Sequence, residues 1–284
     1  MIVGTKRDLV IENIKKNVCL GLFNDKVELD DPILTEEDEK EITDNYINNR
    51  NTFSYKTKTV VATLMQNVAT HMINKDTVIV GIEKLPKNIK GAIITSNHFS
   101  PLENTVIKHM CNKIHKKLSI ISQTSNFKMK GLIGFLLNYA NTIPVNHDAR
   151  YLAKGFYGVL KEKIVEKEEM VLLYPEQEMW FNYRKPRPPK KGAYFFASKL
   201  NVPIISCFVE MVDMDKDDTE EFKKVRYVLH ILDVIYPNPN LDTKENSEYL
   251  ASTDYEKKVK CYEEVYDKNL SYDFEKCDIA GWKV

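Results

Sequence analysis

Two residues, His98 and Glu103, have side chains and a spacing suited to general base chemistry. His98 follows the run AIITS at 92–96, which is typical of a β-strand, and Glu103 falls near the start of a predicted helix. A carboxylate placed there can accept a hydrogen bond from one ring nitrogen, which leaves the other nitrogen free to remove a proton. The spacing also arises by chance. In that case His98 would bond to the backbone, and Glu103 would be a carboxylate favoured by a helix N-terminus.

The elements that would position this pair alternate along the chain. Strand-like runs lie at 77–81, 92–96, 118–123, 142–145, 170–174, 202–209 and 226–235. Helical patterns separate many of them, at 101–116, 127–140, 150–168 and 192–200. Such alternation predicts an α/β fold with a mostly parallel sheet flanked by helices. His98 would then follow the carboxyl end of a strand, where open α/β folds place their binding sites.

Three parts are expected along the chain: an N-terminal helical segment at 1–75, an α/β domain at 76–240, and a C-terminal helix and tail at 241–284. Residues 1–55, with acidic positions that include Asp30 and Asp31, indicate short helices and a loop. Residues 56–75 place apolar side chains at helical spacing. A helix packed on the core is the commoner explanation of that stripe. A helix lying in a bilayer interface is the alternative. We expect the C-terminal helix at about 253–268.

Composition argues against several classes of function. Lysine plus arginine and aspartate plus glutamate number 41 each, so a formal net charge of zero offers no general attraction for nucleic acid. The five cysteines, at 19, 111, 207, 261 and 277, lack the spacing of a zinc site or a disulfide framework, so we expect reduced thiols and no metal. The glycine-rich motifs of nucleotide-binding loops are also missing from the sequence.

The sequence favours contact with a membrane surface over a membrane span. The N-terminal stretch MIVGTKRDLVIENIKKN has no apolar core typical of a signal peptide. The most apolar stretch, at 131–145, is shorter than the ~20 residues of a spanning helix and is interrupted by Asn138 and Asn141. If the protein acts on lipid, we therefore expect it to be cytoplasmic and peripheral on the cytoplasmic membrane face.

Four ordered blocks between 76 and 210 resemble the glycerolipid acyltransferase family, of the 1-acyl-sn-glycerol-3-phosphate acyltransferase type. VGIEKLP at 80–86 and AIITSNHFSPLEN at 92–104 are similar to the family's G-x-E-x-x-P turn and His-x-x-x-x-Asp box, with Glu103 in place of Asp. FKMKGLIG at 127–134, with IPV at 143–145, resembles the second block. LYPE at 173–176 resembles the family's F-P-E-G. KKGA at 190–193, with VPII at 202–205, resembles the fourth block.

The resemblance implies transfer of a fatty acyl group from acyl-CoA or acyl carrier protein to a hydroxyl of a lysophospholipid or glycerol phosphate, in phospholipid biosynthesis. His98 would be the base and Glu103 its orienting partner, with no cofactor beyond the acyl donor. Other block residues would contact the substrates: Asn97, Lys128, His147, Tyr174, Pro175, Glu176 and Lys190. Two of these have an alternative, because Glu176 also suits a helix cap and Lys128 a solvated surface charge.

The second and third blocks depart from the family pattern where arginines are usual. Asn146 and His147 follow the second block, and Gln177 to Met179 stand in the third. Fewer arginines weaken the expected phosphate binding, because arginine binds phosphate bidentately. Nearby cations are candidate substitutes: Lys128, Lys130, Arg184, Arg187 and Lys190. These departures favour one alternative, a non-catalytic lipid-binding homologue of the same fold. A hydrolase is disfavoured because no activated serine or cysteine motif is present.

An aromatic cluster of Trp180, Phe181 and Tyr183 adjoins the basic stretch RKPRPPKK at 184–191. Aromatic and basic side chains together suit a bilayer interface or an acidic headgroup. We therefore expect this segment to contact lipid, and an ordinary surface loop is the alternative.

Overall fold

A seven-stranded sheet lies at the centre of the computed structural model, which describes residues 6–29 and 32–283. Residues 1–5, Asp30, Asp31 and Val284, which include the start of the expected N-terminal segment, lie outside the described residues. The strands are β1 (Val78–Val80), β2 (Ala92–Thr95), β3 (Leu118–Gln123), β4 (Thr142–Val145), β5 (Met170–Leu173), β6 (Ile204–Asp217) and β7 (Lys223–Ile235). They are ordered β1-β7-β6-β2-β5-β3-β4.

The predicted mostly parallel sheet is confirmed. Strands β2 to β6 run in one direction, whereas β7 is antiparallel to β6 and β1 is parallel to β7. The helices are α1 (Arg7–Cys19), α2 (Glu36–Asn49), α3 (Phe53–Ile73), α4 (Asn104–Lys113), α5 (Gly131–Tyr139), α6 (Tyr157–Leu160), α7 (Gly192–Leu200) and α8 (Thr243–Tyr266). Helix α6 is a single turn between two π-helical segments, Tyr151–Phe156 and Lys161–Glu166.

The central strands are apolar on both sides because helices cover both faces of the sheet. Successive residues of β2 illustrate this, since Ile94 joins the core formed with α4 and Ile93 joins the core formed with α6, α7 and α8. A third cluster packs α1 against the loop that follows β5 and against the end of the chain.

The core interpretation of the 56–75 stripe is wrong. Helix α3 buries only Ala62 and Thr70 among its residues. Its apolar stripe faces solvent, with side chains between 38% and 68% exposed: Val60, Val61, Leu64, Met65, Val68 and Met72. The opposite side of α3 packs on α4 and α5, where Tyr55 donates a hydrogen bond to the Asn138 carbonyl oxygen. An apolar stripe has the same spacing whether it faces a core or a bilayer, so periodicity could not show which of the two this helix faces.

Other differences concern where elements begin and end. Strands β6 and β7 are longer than predicted, because charged residues of a projecting hairpin continue the ladder to the Asp217–Lys223 pair. Helix α8 begins about ten residues earlier than predicted. Asp242 and Glu245 form a capping box there, a signal that was present in the sequence.

Gly91, which precedes β2, tests the packing that places this strand. A Cβ atom added there would lie 1.9 Å from the Ile164 carbonyl oxygen, which belongs to the backbone and has little room to move. We expect Gly91→Ala to lower the free energy of unfolding by about 2–3 kcal/mol, measured by urea denaturation. Gly158→Ala is the matched control, because no atom lies within 4 Å of its added Cβ. Equal midpoints in the two variants would contradict the close approach.

Candidate active site

The loop that carries His98 is a direct continuation of β2. Asn97, which is buried, joins this loop to β6, because its side-chain amide donates to the Val209 carbonyl oxygen at 3.0 Å and its side-chain oxygen accepts from the Val209 N–H at 2.8 Å. This pairing imitates one more residue pair of the sheet. Both polar groups of Asn97 are therefore used to hold the loop, although the sequence suggested a substrate contact.

His98 and Glu103 lie in contact, as their spacing predicted. Nδ1 of His98 is hydrogen-bonded to Oε1 of Glu103, and Oε2 accepts from the backbone N–H groups of Phe99, at 2.6 Å, and Ser100. The Glu103 side chain is 2% exposed, whereas the His98 side chain is 21% exposed. Two backbone N–H groups thus hold the buried carboxylate of Glu103 in place, where it is hydrogen-bonded to one ring nitrogen of His98. The other, Nε2, makes no hydrogen bond within the described residues.

Tyr174, the first residue after β5, covers one face of the imidazole. The two rings are stacked, with centroids 4.1 Å apart and planes 8° from parallel. Tyr174 reaches this position because β2 and β5 are adjacent and parallel, so that their carboxyl ends meet at one edge of the sheet. The imidazole is therefore fixed both at one edge and on one face.

Glu176 stabilises the loop that carries His98. Its Oε2 accepts from the His98 backbone N–H at 3.1 Å, and its Oε1 accepts from the Arg187 N–H at 2.9 Å. The Arg187 guanidinium pairs with Glu176 at 2.9 Å, and both side chains are almost completely buried. Burial lowers the pKa of Arg187, and the adjacent carboxylate opposes that shift. Both oxygens of Glu176 are thus engaged by the protein.

Arg187 makes further hydrogen bonds to the backbone around the site. It donates to the carbonyl oxygens of Phe23, at 2.9 Å, His98, at 3.2 Å, and Glu178. Its guanidinium also lies over the Trp180 ring, 4.5 Å from the centroid. The sequence suggested Arg187 as a substitute phosphate ligand and as part of a lipid-contacting segment. Its pairing with Glu176 had no recognisable spacing signal.

The remaining block residues lie around the same edge of the sheet without meeting His98. Lys128 is exposed beyond β3 and pairs with Asp38 of α2 at 3.0 Å, which lowers the pKa of Asp38 to about 2. His147 is exposed just after β4. Lys190 is exposed, and its backbone N–H donates to the Pro175 carbonyl oxygen at 2.7 Å. None of these three side chains contacts His98 or Glu103 in the described part of the chain.

The aromatic and basic segment after the third block is mostly buried, so the expected lipid contact there is wrong. Trp180, Phe181 and Tyr183 pack against α1 in the third core cluster. Lys185 forms a buried ion pair with Asp278 at 2.7 Å, and Arg184 pairs with Asp213. The N-terminal helix and the C-terminal segment cover these side chains, and a local pattern cannot reveal partners so distant in the chain.

Comparison with known proteins agrees with this architecture. Residues 76–210 match the family model described as Acyltransferase. This match covers just under half of the chain and agrees with the resemblance to glycerolipid acyltransferases found in the sequence. The family match supports transferase activity with an acyl donor and a lipid acceptor. A sequence search of curated proteins found no match.

The fold is similar to a solved structure of a 1-acyl-sn-glycerophosphate (LPA) acyltransferase, PlsC, from Thermotoga maritima. The TM-score is 0.53, and the match covers 83% of this chain and 96% of that chain at 16% sequence identity. At that identity the similarity bears on the fold alone.

Arg187→Met tests the buried ion pair. The change leaves the Glu176 carboxylate buried without its counter-ion, so we expect the free energy of unfolding to fall by about 3–5 kcal/mol, measured by urea denaturation. Lys191→Met is the control, because Lys191 pairs with Glu248 at the surface with both side chains more than half exposed, and there we expect a loss of about 0–1 kcal/mol. Similar losses of unfolding free energy in both variants would show that the buried pair contributes no more to stability than the surface pair.

Proposed function

We propose that the protein transfers a fatty acyl group from a thioester, acyl-CoA or acyl carrier protein, to a hydroxyl of a lysophospholipid or glycerol-phosphate-type acceptor. One observation carries this proposal: the imidazole of His98 is held by the buried carboxylate of Glu103, and its second nitrogen has no hydrogen-bond partner among the described residues. The family match supports acyl transfer as the reaction class.

The proposed reaction needs one base and no covalent acyl-enzyme. Nε2 of His98 removes the proton of the acceptor hydroxyl as the oxygen attacks the thioester carbonyl carbon. The carbon–sulfur bond then breaks, the new oxygen ester forms, and the imidazolium returns its proton to the departing thiolate. Glu103 stabilises the imidazolium while it exists. Because Glu103 is already oriented by Phe99 and Ser100, little rearrangement accompanies the proton transfer.

The exposed face of α3 supports work at a bilayer. Its apolar stripe is continuous over about four turns, and Lys56 and Lys58 lie near its beginning, where they can meet anionic headgroups. No helix among residues 6–29 and 32–283 is both long and apolar enough to cross a membrane. Just after α3, Asn74 donates to the Thr105 hydroxyl at 2.8 Å, two residues beyond Glu103. A bilayer under α3 would thus bring lipid close to the proposed base.

His98→Ala should greatly reduce turnover without unfolding the protein. Removing a general base lowers turnover by about 10²–10⁴-fold, measured as thiol release from acyl-CoA with a panel of lysophospholipids and glycerol phosphate. His115→Asn is the matched control, because His115 is exposed at the opposite edge of the sheet and its positive φ of 55° suits asparagine. Near-normal turnover in His98→Ala would refute the mechanism. No turnover in the unaltered protein, with lipid binding intact, would favour a non-catalytic lipid-binding homologue.

Leu64→Glu tests the membrane surface. A charge in the middle of the apolar stripe should reduce binding to anionic phospholipid vesicles at least tenfold, measured by co-sedimentation. Leu9→Glu on α1 is the matched control, since Leu9 is 54% and Leu64 61% exposed. Equal loss in both variants would contradict a docking role for α3. Loss of self-association in place of vesicle binding would show that a second copy of the chain covers this face.

A further inference from the structure

Tyr174 contacts the imidazole of His98 but takes no direct part in the proposed proton transfer. Its ring is stacked on the His98 imidazole at 4.1 Å, and it packs against the core formed by β2, β5 and α4. The hydroxyl oxygen is buried and has no hydrogen bond of ordinary geometry within the described residues. A buried hydroxyl without a partner is uncommon, so its surroundings are informative.

The hydroxyl lies beside the carboxylate of Glu103. Burial and the charge of Glu103 together raise the pKa of Tyr174 well above its ordinary value, so the phenol keeps its proton. A protonated hydroxyl next to a carboxylate turns its hydrogen towards the negative charge. Tyr174 is therefore close to both members of the proposed catalytic pair: its ring is stacked on the imidazole, and its hydroxyl is near enough for the charge of Glu103 to raise its pKa.

We propose that Tyr174 is a positioning residue, whose ring holds the plane of the His98 imidazole and whose hydroxyl moderates the charge of Glu103. This inference rests on the proposed function of His98 as a base. The ring prevents the imidazole from turning about its bond to Cβ. The hydroxyl spreads part of the carboxylate charge, so that the imidazolium is not held too tightly to return its proton to the leaving thiolate.

A direct substrate contact, which the sequence suggested for Tyr174, fits this geometry poorly. The hydroxyl is on the Nδ1 side of the imidazole, with Glu103, whereas the acceptor must approach Nε2. The oxygen has almost no solvent-accessible surface through which a ligand could reach it. Tyr174 therefore acts through His98 and Glu103.

Two substitutions separate the contributions of the ring and the hydroxyl. Tyr174→Phe keeps the stack and removes the hydroxyl, so the imidazolium should persist to higher pH. We expect the acidic limb of the pH–rate profile to move up by roughly half a pH unit, because the hydroxyl dipole no longer offsets part of the charge of Glu103. Tyr174→Leu removes the stack, and we expect kcat to fall by about 10–100-fold with KM changed less than twofold.

Tyr183→Phe is the matched control. Among the described residues its hydroxyl is also buried without a hydrogen-bond partner, but its ring contacts Trp180 and is not in contact with the imidazole. We expect no change in its pH profile. A rise in KM for Tyr174→Phe with an unchanged profile would overturn the proposal in favour of substrate binding. Unchanged kinetics per folded molecule in both Tyr174 variants would overturn it in favour of simple packing.

A second readout keeps this inference separate from the proposed reaction. The histidine resonance that disappears in His98→Ala can be followed by NMR as pH is varied. It should titrate at higher pH in Tyr174→Phe than in the unaltered protein, whether or not any acyl donor is turned over. A shifted resonance without turnover would retain the positioning role and refute the reaction, and an unshifted resonance with normal turnover would do the reverse.

Discussion

The buried ion pair between Glu176 and Arg187 determines where His98 can lie. Glu176 accepts from the N–H of His98, and Arg187 donates to its carbonyl oxygen, so the pair holds both polar groups of that residue's backbone. Removing two charges from water is unfavourable unless their remaining hydrogen bonds are satisfied. Here Arg187 also meets the carbonyl oxygens of Phe23 and Glu178, so the pair is well satisfied. The Glu176–Arg187 pair and its hydrogen bonds to the backbone form a frame around the loop that carries His98. The His98–Glu103 contact depends on this frame, because a loop free to move would separate the two side chains.

The frame is completed by parts of the chain outside residues 76–210. Asn24, between α1 and α2, donates to the carbonyl oxygens of Glu176 and Pro188, and the Trp180 ring N–H donates to Asp25. Near the other end of the chain, the Asp278 carboxylate accepts a hydrogen bond from the ammonium group of Lys185. The loop after β5 is thus held between two distant segments. This explains why it can be rich in proline and charge and still be buried.

The sequence was most informative where a feature is local. Alternating apolar runs predicted the strands, and the spacing of His98 and Glu103 predicted a contact made within a single turn of chain. It was least informative where a side chain has a distant partner. Nothing in the stretch RKPRPPKK distinguishes a lysine that pairs with Asp278 from one that meets a lipid phosphate. The prediction that the stripe of α3 packs on the core was wrong for a related reason. The pattern specifies an apolar face but does not specify what covers it.

These differences change how the protein would meet a membrane. The basic side chains that looked available for headgroups are mostly neutralised inside the fold, Arg187 by Glu176 and Lys185 by Asp278. Among the exposed ones, Lys128 is paired with Asp38. The formal net charge of zero adds no long-range attraction. Most of the free energy for binding a bilayer would therefore come from the apolar face of α3, since burial of apolar side chains in a membrane interface needs no excess of positive charge.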